Sequence, residues 1–199
     1  MITLAVPPSL SISDEQFTQI CQHNRDLRFE RTAQGDLIIM APTGGETGRA
    51  NVEIAADLVL WNRHAQLGVV FDSSTGFKLP DGSTRSHDVA WVRLERWQAL
   101  SPDQRRRFLP LCPDFVVELK SPSDDLADLQ TKMQVYLDNG LQLGWLINPD
   151  LQQVEIYRAN HPVEVLHQPQ SLSNEELLPG FCLNLSGLLT DSTPGRAIP

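Results

Sequence analysis

Two opposite charges alternate at the end of an apolar run in "FVVELKSPSDDL", Phe115 to Leu126. Phe115, Val116, Val117 and Leu119 describe a buried strand, and burying charge is costly unless it is neutralised or binds something. Strand side chains alternate faces, so Glu118 and Lys120 point the same way, with Cα atoms about 6.6 Å apart, while Val117 and Leu119 point the other. Ser121 and Pro122 then end the strand, leaving the pair near its carboxyl end, where sites in open α/β sheets tend to lie. The bland account of such a pair is a surface salt bridge on an edge strand, worth at most about 1 kcal/mol.

Other residues weigh against that account. Asp88 opens the apolar strand "DVAWV" and lies beside Glu118 if the two strands are neighbours in a meander. A second carboxylate is what a hard divalent cation requires, since Mg²⁺ takes oxygen ligands at about 2.0–2.1 Å and keeps several waters. Asp114 shares a face with Glu118, but about 13 Å of strand separates them. Asp81 belongs to a turn, Pro80 to Ser83. Glu46 follows two glycines and starts a long helix, where its ordinary role is to complement the helix dipole. Lys132 stands four residues after Asp128, the spacing of an ordinary surface ion pair. Arg105, Arg106 and Arg107 read as a solvated face. Trp61, Trp91, Trp97 and Trp145 read as core or dimer-interface residues rather than base-stacking platforms.

The elements that would position these residues follow from pattern. Ser13 with Gln16 forms a capping box for a helix over about residues 14–23. Two short strands flank a hairpin at Ala33 to Asp36. The sequence from Glu46 to Ala65 reads as a long helix with Val52, Ala55, Ala56 and Val59 on one face and Ile54, Leu58 and Trp61 on another, hence covered on more than one side. "GVVFDS", "GFKLP" and "HDVAWVRL" read as strands, and "SPDQRRRF" as a short polar helix. After the central strand "DFVVELKS", a helix is predicted with Ser123 as its cap, Gly140 as its stop, and Leu126, Leu129, Met133 and Tyr136 or Leu137 on its core face. "LQLGWLINPDLQQVEIYRA" gives two further strands, and "DSTPGRAIP" a frayed tail. Strands and helices interleave without repeat or linker. This order predicts one α/β domain over residues 1–199, a mixed sheet between helices, with an N-terminal helix and hairpin extension and a tail after about residue 190.

Bulk properties exclude several classes. Lys and Arg number 16 against 25 Asp and Glu, a net charge of −9. That charge repels nucleic acid at long range, so a generic DNA-binding protein is disfavoured; a metal-dependent nuclease is not, because its acidic site attracts the cation that meets the phosphate. No apolar run approaches the roughly 20 residues that span a bilayer, and the start lacks a signal-peptide pattern, so a cytoplasmic protein without membrane contact is expected. Cys21, Cys112 and Cys182 are scattered, which argues against a zinc site or disulfide framework.

An acidic residue in a helix, an Asp opening a strand, and E-x-K closing the next strand with a helix behind it resemble the PD-(D/E)XK nuclease superfamily. More narrowly, "IMAPTGGETGRANVEIAADLVLW", "RSHDVAWV", "PDFVVELKSPSDDLADLQTKMQVYLDNGLQLGWLINP" and "VEIYR" are similar to the Uma-type family of restriction-endonuclease-like proteins, from about Ile39 to Arg158 and onward to "LPGFCLNL". The resemblance implies a restriction-endonuclease-like core, a mixed sheet of four or five strands flanked by helices, and Mg²⁺-dependent hydrolysis of DNA phosphodiester bonds, with Mn²⁺ as a substitute and a homodimer as the expected assembly. By position it implies metal binding by Asp88, Glu118 and the Leu119 carbonyl, with Lys120 and Glu46 completing the catalytic set and Lys132 and Tyr136 supporting it. One departure is His87, where the family usually has proline; it reads first as a partly exposed histidine with no role, a contact near the metal being the alternative. A catalytically silent member, keeping the fold as a binding or regulatory module, is the alternative from another class.

Overall fold

A computed structural model describes residues 2–189; the segment "DSTPGRAIP", expected to fray, lies outside the described residues. The chain order is β1 (Ile2–Leu4), α1 (Asp14–His23), β2 (Arg28–Arg31), β3 (Leu37–Met40), α2 (Gly45–Ala65), β4 (Gly68–Asp72), β5 (Phe77–Lys78), β6 (Thr84–Arg85), β7 (Val89–Arg93), α3 (Leu94–Ala99), β8 (Phe115–Leu119), α4 (Leu126–Asp138), β9 (Leu143–Asn148), β10 (Gln153–Arg158), β11 (Glu164–His167), β12 (Ser171–Asn174) and β13 (Leu178–Asn184). Ser13 and Gln16 form the expected capping box of α1. The expected polar helix at Arg105 is only a 3-10 turn, Gln104–Arg106, and Arg105 stacks on Trp97, 4.9 Å from guanidinium carbon to ring centre.

The architecture is α/β, as the interleaved pattern predicts. A mixed sheet runs in the order β11-β10-β9-β8-β7-β4. β8 and β9 are parallel, and α4 is the crossover that a parallel neighbour requires. All other neighbours are antiparallel. The sheet has six strands rather than four or five, because β11 folds back on β10. A second sheet, in the order β1-β3-β2-β6-β5, takes up the N-terminal hairpin.

β8 lies inside the six-stranded sheet, not at its edge, and is buried along its length. Phe115, Val117 and Leu119 pack on the side of α2 and β13, with Ile54, Leu58 and Phe181. Val116 packs on the opposite side with Met133 and Tyr136 of α4. Glu118 shares that second face by alternation.

α2 differs from its expected two-sided burial. Ala50, Ile54 and Leu58 form its buried stripe, whereas Val52 is 69% exposed. The stripe recurs every four residues and covers one face, so apolar residues elsewhere on the helix stay in solvent. α4 begins two residues later than Ser123 suggested: Asp125 is the cap, its carboxylate accepting from the Ala127 and Asp128 amides. Gly140 stops the chain behind α4 at φ +102°, a left-handed conformation that glycine adopts without Cβ strain. No helix among the described residues is long and apolar enough to cross a membrane.

Asn62 fastens the far end of α2 to the sheet. It accepts from Trp91 Nε1 at 2.9 Å and the Gly68 amide at 3.0 Å, and donates to the Gly68 carbonyl at 2.8 Å. A Cβ at Gly68 would fall 2.3 Å from both the Trp91 ring and the Val92 carbonyl oxygen. Because one of those is backbone, Gly68→Ala should cost about 2–3 kcal/mol of overpacking strain in urea unfolding. An unchanged midpoint would show that this corner can give.

Candidate metal and acid–base site

β7 and β8 bring Asp88 and Glu118 together. They pair antiparallel with Val89 opposite Val117, and continuing that register by one residue sets Asp88 across from Glu118. Asp88 Oδ2 accepts from the Leu119 amide at 2.8 Å, and Asp88 Oδ1 accepts from Asn51 Nδ2 of α2 at 2.9 Å. Asp88 therefore turns toward the end of β8. Asp114 is held elsewhere: it accepts from the Arg93 amide at 2.9 Å and pairs with Arg96 at 2.9 Å.

Glu118 faces α4. Its Oε1 lies 2.8 Å from Lys132 Nζ and 3.1 Å from the Tyr136 hydroxyl, which leaves Oε2 as the oxygen open to another partner. Lys132 Nζ is also 3.1 Å from Glu30 Oε1 on β2, and Glu30 Oε2 accepts from Arg85 of β6 at 3.0 Å. The Ser86 amide closes on Glu30 Oε1 at 3.1 Å. Glu30 is 1% exposed, Glu118 4% and Lys132 7%. The surface pair expected between Asp128 and Lys132 is thus replaced by a buried bridge between two carboxylates on different sheets. The reason is helical phase: Leu129, Lys132, Met133 and Tyr136 form one buried stripe, and a lysine in that stripe must find anions inside.

Electrostatics divide the carboxylates. For Glu30, burial alone would favour the acid, but the Lys132 and Arg85 charges outweigh it and hold the carboxyl below its ordinary range. For Glu118, burial wins, with the neighbouring Asp88 and Glu30 charges adding to it and Lys132 opposing, and the carboxyl is pushed up to about 8. Burial also raises Asp88, against the Leu119 amide and the Asn51 hydrogen bond. Lys132 would lose its charge to burial, yet Glu118 and Glu30 keep it above its ordinary value and protonated. Asp88 and Glu118 therefore form a pair short of positive charge, the electrostatic condition under which a cation binds.

The remaining predicted residues scatter around this pair. Lys120 Nζ is 2.8 Å from Asp150 Oδ2 and 3.2 Å from the Ser121 carbonyl; the lysine in contact with Glu118 is Lys132. Glu46 is exposed on the first turn of α2, whereas the α2 residue bonded to Asp88 is Asn51. His87 is buried rather than partly exposed, 2% accessible, with its ring centre 4.8 Å from those of both Phe77 and Tyr136. Burial, then the Lys132 charge, push its pKa well down, so it is a neutral packing residue. The hydrogen-bonding partners Glu30, Arg85, Asn51 and Asp150 carry no local sequence signal of a site. For Lys132 the signal was present in the core-facing helical period.

The model of a family described as "Putative restriction endonuclease", Uma2, matches residues 14–186. The chain belongs to the Uma2 family. No curated protein matches it. Among solved structures, it is similar to the crystal structure of a "putative nuclease belonging to DUF820" from Anabaena variabilis, with 19% identity, a TM-score of 0.70, and coverage of 81% of this chain and 89% of that one. That likeness carries the fold. Within this Uma2 fold, no group of three or more His, Cys, Asp and Glu converges on a metal position among the described residues. Asp88 and Glu118, set across from each other by the β7–β8 register, would suit a hard cation only if neutral oxygens and water completed its shell.

Two expectations follow. Lys132→Met strips the ammonium from Glu30 and Glu118 together and should cost about 3–5 kcal/mol in chemical denaturation; a loss below about 1 kcal/mol would mean the bridge is not formed in solution. Glu118 titrates at about 8 in the fold against an ordinary 4.5, so its contribution is full below pH 4.5 and is lost as pH climbs toward 8. In EDTA, Glu118→Gln should therefore flatten the fall in stability of the wild type between about pH 5 and 8. Parallel stability curves for the two proteins would refute the raised pKa.

Proposed function

We propose that this chain is a metal-dependent endonuclease that hydrolyses DNA phosphodiester bonds, with Mg²⁺ as its cofactor and Mn²⁺ as a substitute. The observation that carries the reading is the Asp88–Glu118 pair, set across from each other on β7 and β8 and both raised in pKa. Membership of a family described as "Putative restriction endonuclease" supports it.

Asp88, Glu118 and the Leu119 carbonyl would hold the ion. Bound there, Mg²⁺ would lower the pKa of a coordinated water and offset charge on the phosphate. Asp88 is held for this task by the Leu119 amide and Asn51. Lys120 orients the attacking water and balances developing negative charge, a role that requires it to leave Asp150, its exposed partner. Lys132 keeps Glu118 oriented through Oε1, with Tyr136 as the second contact. Glu46 binds a water at the outer edge. A homodimer and a cytoplasmic setting belong to the same proposal.

One observation favours the silent alternative. Lys132 already neutralises Glu118 in part without any ion, so the fold does not need a metal to tolerate the carboxylate. Calorimetric titration and plasmid cleavage separate the two. The endonuclease reading expects Mg²⁺ binding that is abolished in Glu118→Ala, and Mg²⁺-dependent nicking of supercoiled plasmid that falls at least about a hundredfold in Lys120→Ala. No binding at millimolar Mg²⁺, with plasmid left intact, would decide for a silent module. Equal cleavage by wild type and Asp88→Ala would expose a contaminant.

A further inference from the structure

We propose that Asn51 supplies a third, neutral oxygen to the cation site of Asp88 and Glu118. The inference rests on reading those two carboxylates as a cation site, and it deepens that reading by naming a ligand that is not acidic.

Three observations carry it. Asn51 Nδ2 donates to Asp88 Oδ1 at 2.9 Å. A carboxylate oxygen only accepts, so the amide must present its nitrogen to Asp88, and the opposite orientation would set two acceptors face to face. Asn51 Oδ1 is thereby left as a buried oxygen with no hydrogen-bond partner. Buried polar atoms are nearly always satisfied, and an orphan next to a functional pair calls for a ligand, a water or an ion. Finally, no three acidic or imidazole side chains converge among the described residues. A hard cation at Asp88 and Glu118 must then complete its shell from neutral oxygens, which Mg²⁺ and Mn²⁺ accept.

The placement has a structural basis. α2 lies along β7, with Asn62 bonded to Trp91 at one end and Asn51 bonded to Asp88 at the other. Glu46, about one and a half turns earlier, is exposed. The helix thus reaches the carboxylate pair through an amide, not through its first-turn acid.

The test is calorimetric titration of the full chain with Mn²⁺, comparing wild type, Asn51→Leu and Asn51→Asp, with thermal unfolding in EDTA to establish that each is folded. Asn51→Leu removes donor and oxygen; its Mn²⁺ affinity should fall about tenfold or more. Asn51→Asp loses the donor but keeps an oxygen, and should bind Mn²⁺ at least as tightly as wild type. The rise in unfolding temperature on adding Mn²⁺ should follow the same order. Wild-type affinity in Asn51→Leu would overturn the inference. So would equal weakening in both variants, because Asn51 would then act only by orienting Asp88. If Asn51→Leu does not fold, weaker binding by Asn51→Asp than by wild type overturns it alone. A folded wild type that binds no Mn²⁺ sinks the cation site itself, and the Asn51 inference with it.

Discussion

The structure turns on one buried ammonium. Lys132 of α4 lies between Glu30 of β2 and Glu118 of β8, within 3.1 Å of each. Those carboxylates belong to different sheets, and the helix that bridges them is the crossover between the parallel strands β8 and β9. Removing two such charges from water is costly, and only good geometry with further hydrogen bonds offsets it. Arg85 and Ser86 complete Glu30, and Tyr136 adds a hydrogen bond to Glu118 Oε1. The alignment of the five-stranded sheet on the six-stranded one is thereby tied to the same contacts that orient the candidate site.

Charge balance explains why the site stays receptive. Glu30, Glu118 and Asp88 are three carboxylates; Lys132 and Arg85 are two cations. Glu30 takes most of the benefit, since both cations lie against it and its pKa falls. Glu118 shares Lys132 while feeling burial, Asp88 and Glu30, and its pKa rises. Two neighbouring glutamates on one lysine are pushed in opposite directions, the pattern that separates a structural carboxylate from one with unmet demand for positive charge. The unmet demand for positive charge lies on the side of Asp88, whose carboxyl burial also raises, just beyond the last β7–β8 pair.

Much of this was legible in advance. The Ser13 capping box, the hairpin at Gly35, the Asp81 turn and the strand character of Phe115 to Leu119 are local properties of short segments, and local properties survive folding. That the strands of Asp88 and Glu118 are neighbours was legible as well, because consecutive strands of a chain tend to pair. Less was legible where burial decided. Val52 lies in an apolar pattern but outside the stripe that meets the sheet. His87 lies in a polar context and is sealed between two aromatic rings.

The sequence by itself determined the alternation of strands and helices, the carboxylates on adjoining strands and the family. Each depends on residue order, periodicity or a motif written in contiguous segments. Only the tertiary structure decided which lysine meets Glu118, that Glu30 shares it, and that α2 reaches Asp88 through Asn51 rather than Glu46. Periodicity says which face of an element is covered, but not by what. Lys132 and Glu30 are about a hundred residues apart in the chain and meet only because two sheets pack across one helix.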